Sequence, residues 1–252
     1  MDLQLDKRIA IVTGAGTGIG LGIAELLAEE GCKVVLVGRR ADVLQAAADK
    51  IAALGKEAAV VLPVDLSAPG GGKEMIKQAI AKVGRVDILV NNAGVSQPMS
   101  TGAPDEVWDA AYALRFTEVR HAIEALLPGM KERRYGRVIN IGGSWEVQEV
   151  INSASVMNSA RTIYCKSLSR EVGRYGITVN TVGPGVIVSE QLDKRFPIVA
   201  EREAFVRNNI PVGYFGEPRD LAVLVALLAS PLGRYITGEV ISVDGGLHRF
   251  AF

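Results

Sequence analysis

Two cysteines in 252 residues, Cys32 and Cys165, stand apart in apolar surroundings and form neither a Cys-x-x-Cys nor a Cys-His spacing. A disulfide scaffold or a structural zinc site is therefore not expected, and a reducing cytoplasm fits. Excess charge is missing too. Lys plus Arg total 28 and Asp plus Glu total 28, so no basic field exists to hold a polyanion and nucleic acid is not expected as a partner. No run approaches the roughly 18 apolar residues of a spanning helix, and the start MDLQLDKRIAIVTG lacks a basic stretch followed by an apolar run and cleavage site, so the expectation is a soluble chain without a membrane partner. Linker-like composition shifts, tandem repeats and low-complexity tracts are likewise missing, and Pro69-Gly70-Gly71-Gly72 reads as a loop. Residues 1–252 are taken as one domain.

What the chain does have is core material, 48% apolar against 22% charged. Short β-branched runs at residues 8–12, 33–37, 58–62, 86–90, 137–141, 178–182 and 240–243 are mostly apolar, the pattern of parallel strands covered on both faces. Amphipathic segments lie between them. Ile23, Leu26 and Leu27 recur at helical spacing within 19–30, and 105–130 follows the start signal of Pro104. The alternation predicts an α/β fold, a doubly wound, Rossmann-like sheet of seven parallel strands.

The first strand runs into Thr13-Gly14-Ala15-Gly16-Thr17-Gly18-Ile19-Gly20 and then directly into a helix. Glycines at 14, 18 and 20 let the backbone turn tightly, let a pyrophosphate approach main-chain N–H groups, and let helix pack close to strand. The positive helix terminus would face the phosphates. The second strand ends Val37-Gly38-Arg39-Arg40, without the acid expected on the ribose hydroxyl of a site selective for NAD(H). Gly38 leaves room there, and Arg39 offers a fork to a 2′-phosphate, which favours NADP(H); the alternative is that both arginines simply begin the next helix in solvent.

With further motifs downstream, the chain resembles the short-chain dehydrogenase/reductase family over nearly its whole length. Asp65-Leu66 resembles the family's adenine-contacting acid, Asn91-Asn92-Ala93-Gly94 its signature after the fourth strand, and Pro184-Gly185 its nicotinamide-side loop. Ile187 and Ser189 fall where members touch the carboxamide, and Val243-Asp244-Gly245-Gly246 resembles the carboxyl-terminal turn. The resemblance implies cofactor contacts from Gly14, Thr17, Gly18, Ile19, Gly20, Arg39, Asp65, Leu66, Asn91, Ala93, Gly94, Pro184, Gly185, Ile187 and Ser189. It also implies a homodimer or homotetramer. Asn91 could equally tie adjacent strands together, and Pro-Gly could be only a turn.

The acid–base end departs from the family. Its Tyr and the Lys four residues later must share a helix face; counted back from Lys166-Ser167-Leu168, those positions hold Ala154 and Asn158, and no Tyr-x-x-x-Lys occurs in the chain. Tyr164 lies about 15 Å further along the helix axis and roughly 80° around it. The family's helical Asn is replaced by Arg115, and its Ser by Gly143, with Ser144 adjacent as a shifted replacement. The expected catalytic set is Ser144 and Arg115 polarising an oxygen, with Asn158 on the nicotinamide ribose; water, Glu146 or Glu149 would supply the proton. The expected activity is hydride transfer to or from an activated carbonyl or conjugated double bond. The rival from another class is a pseudoenzyme that binds NADP(H) as a structural or regulatory subunit. Met99, Leu192, Phe196 and Phe205 suggest a substrate with an apolar portion, or ordinary lid packing.

Overall fold

The first strand, β1 (Ile9–Thr13), is buried along its whole length, and alternate residues feed two separate cores. Ala10 and Val12 point to one face of the sheet, Ile9 and Ile11 to the other. The same division runs through β2 (Lys33–Gly38), where Val34 and Leu36 oppose Val35 and Val37. A strand that needs apolar side chains on both faces has no polar stripe to display, which is why these runs read as continuously hydrophobic. The computed structural model describes residues 1–94, 99, 101–143 and 151–250.

The remaining strands are β3 (Val60–Pro63), β4 (Ile88–Asn91), β5 (Gly136–Ile141), β6 (Ile177–Pro184) and β7 (Val240–Val243). They form one parallel sheet in the order β3-β2-β1-β4-β5-β6-β7. The seven expected strands are all present, with ends shifted by two residues or fewer. One face is covered by α1 (Gly18–Glu29), α2 (Ala41–Ala53) and α9 (Pro218–Ala229), the other by α3 (Gly71–Val83), α5 (Glu118–Arg133) and α6 (Ser153–Val172). The winding reverses between β1 and β4, so the crevice that such sheets open at their strand carboxyl ends lies beyond Thr13 and Asn91.

One element differs from expectation. The single helix expected over 105–130 is α4 (Asp105–Tyr112), a π-helical turn (Ala113–Thr117) and then α5, which runs through Pro128 to Arg133. The π-helical turn widens the helix by an extra residue and re-aims the side chains on it. Arg115 lies within that turn and is buried. Two shorter helices, α7 (Glu190–Arg195) and α8 (Val199–Asn209), follow β6.

Candidate functional site

The glycine loop leaves β1 with Gly14 at φ +65°. Ala15 N–H donates to the Val37 carbonyl at 3.2 Å and holds the loop against β2. A Cβ on Gly20 would stand 2.2 Å from the Gly14 oxygen, so helix and loop could not close together around any larger residue. Thr17 is extended at the N-cap and makes no side-chain cap bond. The leading amides of α1 are therefore left to an outside acceptor, and the helix dipole favours an anion there. Loop and helix end fit a pyrophosphate.

Behind the loop is a clamp that the sequence reading passed over. Asn92 Nδ2 donates to the Thr13 and Gly14 carbonyls at 2.9 and 3.3 Å, while Thr13 Oγ1 accepts from the N–H groups of Asn92 and Ala93 at 2.9 and 3.0 Å. The available signal was that Thr13 ends one strand and Asn92 directly follows the end of its neighbour, where unsatisfied backbone groups need partners. Asn91 takes the strand-tying role: its Nδ2 donates to Asn140 Oδ1 at 3.0 Å, and Asn140 Nδ2 lies 3.2 Å from Cys165 Sγ.

At the end of β2, Arg39 and Arg40 are exposed. Asp65 faces the same region. Its carboxyl is held below the usual range chiefly by the Ser67 hydroxyl and N–H, with a smaller contribution from the Arg39 charge. Leu66 is half-buried beside it. On the far side, Gly185 N–H donates to the Val243 carbonyl, and buried Ile187 bridges to Gly216. Ser189 stands over the glycine loop, its Cβ 3.4 Å from where a Cβ on Gly18 would be. The chain thus brings 14–20, 93–94 and 184–189 to one crevice.

The acid–base end is built on α6. Ala154 and Asn158 are both buried, and Asn158 Oδ1 accepts from Arg161 Nη2 at 3.1 Å. The same Nη2 donates to the Ile141 carbonyl at 2.7 Å. That bond fixes the amide: Oδ1 is committed to the arginine, and Nδ2 turns toward Gly143, 3.3 Å from where its Cβ would stand. Arg161 is only 2% exposed, and burial draws its guanidinium down to about 10, with the Arg115 charge adding to that depression. Arg115 comes from the opposite wall, where its guanidinium lies on Gly94; a Cβ there would be 2.9 Å from Cζ. Burial lowers the Arg115 pKa as well.

Tyr164 offers no replacement proton. Its ring packs edge-on against Phe116 at 5.8 Å, and burial pushes its phenol up to about 12. Lys166 is exposed and pairs with Glu239 at 3.2 Å. Ser144, Glu146 and Glu149 lie outside the described residues. Phe196 and Phe205 pack against each other and against Phe215, and Met99 and Leu192 are buried. Among the described residues no group of three or more His, Cys, Asp or Glu side chains is placed to hold a metal ion, and no helix is long and apolar enough to cross a membrane.

The geometry agrees with known proteins. A family model described as enoyl-(acyl carrier protein) reductase matches residues 14–248. The chain is 36% identical to the 3-oxoacyl-[acyl-carrier-protein] reductase FabG of Vibrio cholerae, over 98% of this chain and 99% of that one. It also resembles the crystal structure of L-sorbose reductase from Gluconobacter frateurii, complexed with NADPH and L-sorbose, with a TM-score of 0.92 and 29% identity over 99% of this chain and 100% of that one. A 3-oxoacyl (acyl-carrier-protein) reductase from Agrobacterium tumefaciens with NADP bound gives a TM-score of 0.92 and 30% identity over 97% of this chain and 96% of that one.

Proposed function

The chain belongs to the short-chain dehydrogenase/reductase family, and on that premise we propose an NADP(H)-dependent oxidoreductase whose cleft works without the family's Tyr and Lys. Its relatives include reductases held with NADPH or NADP. The observation that carries the reading is the uncapped amino end of α1 beneath a glycine loop, with Arg39 exposed at the neighbouring strand end. The phosphates would lie on Gly14, Thr17, Gly18, Ile19 and Gly20, and the 2′-phosphate on Arg39. Asp65 and Leu66 would flank the adenine, with Asn91 and Ala93 supplying backbone along the crevice. Gly94, Asn158, Pro184, Gly185, Ile187 and Ser189 would frame the nicotinamide half.

The chemistry such a cofactor supplies when bound is hydride donation to, or acceptance from, a carbon polarised as a carbonyl or conjugated alkene. The protein's part is orientation and charge. Asn158 Nδ2, held outward by Arg161, is a donor suited to a ribose hydroxyl. Arg115 and Ser144 would stabilise negative charge on the substrate oxygen. Neither guanidinium releases a proton at neutral pH, so the proton must come from water or a loop carboxyl. A positioned general acid is worth roughly 10²–10⁴-fold, so its loss leaves room for a slower reaction on an activated substrate. We place the chain in the cytoplasm, as a homodimer or homotetramer acting on a small molecule with an apolar portion.

Equilibrium titration with NADPH and NADH, followed by a screen of carbonyls, enones and enoyl thioesters, tests this. Tighter NADPH binding with turnover on an activated substrate is the expected result. NADPH binding without turnover throughout would favour a cofactor-binding subunit, a reading encouraged by the replacement of both Tyr and Lys. No binding of either nucleotide would overturn both.

A further inference from the structure

The carboxyl-terminal turn is a motif that the proposed site leaves unused. Beyond Val243 the chain folds back over Gly245 and Gly246, both in the left-handed region at φ +64° and +82°. Four hydrogen bonds of this turn converge on Asp244. Gly246 N–H donates to its Oδ1 at 3.0 Å, His248 N–H to its Oδ2 at 3.1 Å and Leu247 N–H to its carbonyl at 3.1 Å, while the His248 ring nitrogen Nδ1 faces Oδ2. An ionised carboxylate only accepts, so Nδ1 is the nitrogen that carries a proton in this contact. Burial raises the Asp244 carboxyl, but the His248 ring and N–H and the Gly246 N–H outweigh it and hold the group below the usual carboxylate range. The imidazole itself is partly open to solvent, with which it can exchange a proton.

This turn lies against the loop proposed to frame the nicotinamide. A Cβ on Gly185 would stand 2.6 Å from Asp244 Cα and 2.7 Å from its Cβ, so the two segments touch without a gap. Gly185 N–H donates to the Val243 carbonyl at 3.0 Å, and Val212 N–H to the Gly245 carbonyl at 3.2 Å. Further along the loop, Gly216 N–H donates to the Val186 carbonyl at 3.1 Å, and Val188 N–H to the Gly216 carbonyl at 2.8 Å. The turn therefore supports one end of the loop and Gly216 the other. A shift of Asp244 must pass to Gly185, because close-packed groups transmit strain rather than absorb it.

We propose that His248 is a positioning residue: through Asp244 it holds the loop at Pro184 and Gly185 in place for the nicotinamide half of the cofactor, more firmly when its imidazole is protonated. The assignment rests on the reading of this crevice as an NADP(H) site. A charged donor bonds a carboxylate more strongly than a neutral one, and histidine is the side chain whose charge ordinarily changes between pH 5 and 8. The residues packed on the turn, Gly185 and 210–212, carry no titratable side chain, and the next charge along the chain is Arg249.

The test is calorimetric titration of the full chain with NADP⁺ and with 2′,5′-ADP, which carries the same 2′-phosphate but ends before the nicotinamide, so that the ratio of the two affinities cancels titration of that phosphate. His248→Ala should weaken NADP⁺ binding about 3- to 10-fold and change 2′,5′-ADP binding less than about twofold. In the parent the ratio should fall about 2- to 5-fold from pH 6 to pH 8.5. His248→Asn, which keeps a donor at the place of Nδ1 but does not titrate, should restore most of the NADP⁺ affinity and give a ratio independent of pH. Equal weakening of both ligands in His248→Ala, or a parent ratio that does not change with pH, overturns the proposal. If His248→Ala does not fold, the parent profile and His248→Asn still decide. Hydrogen exchange of the ligand-free chain at one pH separates the clasp from the cofactor reading: the Gly185, Val188 and Val212 amides should exchange faster in His248→Ala. Unchanged exchange overturns the positioning role; faster exchange in a chain whose parent binds neither nucleotide would uphold the clasp and sink the NADP(H) reading.

Discussion

At the scale of the residue, side chains of the proposed site sit where composition rules predict something else. Arginine is read as surface, yet Arg115 and Arg161 are buried, and helical spacing does not reveal the grip of Arg161 on Asn158. Because that grip leaves Nδ2 as the outward group, Asn158→Ala should weaken NADPH binding by roughly 2- to 10-fold, the worth of one hydrogen bond. Binding of 2′,5′-ADP should stay constant, since that ligand ends before the nicotinamide; parallel titrations decide, and an equal loss for both ligands would make Asn158 merely structural. Arg39→Ala should reduce the preference for NADPH over NADH by about tenfold, as expected for one charge-assisted phosphate contact. The two thiols make a separate case. Burial pushes Cys32 up to about 12 and Cys165 to about 11, so both stay protonated in the folded chain at pH 8 and should react with a thiol reagent only after denaturation. The unfolded chain loses these protons near pH 9, whereas the native chain keeps them. The stability they contribute is therefore complete below that pH and declines as pH rises from about 9 toward 12, which denaturant titrations across this range would register.

At the scale of the element, the strands were legible and the helix break was not. A strand covered on both faces must be apolar along most of its length, and that requirement is written directly into the runs that became β1, β2 and β4. A π-helical turn leaves no comparable trace, because one inserted residue shifts hydrophobic phase by an amount that ordinary irregularity in amphipathic spacing hides. The Thr13–Asn92 clamp was unread for a related reason: its partners are backbone groups of distant segments brought together by the sheet. The glycines of the site differ in what they tolerate. A Cβ on Gly20 meets backbone at 2.2 Å, which cannot yield, so Gly20→Ala should cost about 1–3 kcal/mol and abolish NADPH binding. A Cβ on Gly94 meets the end of a flexible arginine, so Gly94→Ala should cost less than about 1 kcal/mol and act by displacing Arg115. Calorimetric melting with an NADPH titration separates the two; equal destabilisation would show that the Arg115 guanidinium is as rigid as backbone.

At the scale of the whole molecule, the doubly wound order follows from alternation of strand and helix together with right-handed crossovers, so sheet and crevice were accessible from sequence while the contents of the crevice were not. Assembly belongs to the same scale. Val156 and Ile163 lie one heptad apart on the outer face of α6 and are 47% and 70% exposed, with Tyr112 of α4 at 46%. Apolar groups so arranged keep contact with water unless something covers them, and contiguous patches of this kind mark association sites. At the far edge of the sheet, β7 has a flank that pairs with no other strand among the described residues, with Val240 half-exposed and Val223 of α9 exposed. In the proposed assembly, a symmetric pairing through α6 would give a dimer, and a second contact through β7 and α9 would give a tetramer. Size-exclusion chromatography with light scattering at micromolar concentration should return twice or four times the chain mass. Ile163→Glu with Val156→Glu should halve that mass without lowering the melting temperature of the separated subunit. A parent that elutes at the mass of one chain would remove the oligomer from the proposal, and a double variant that keeps its mass would move the contact away from α6.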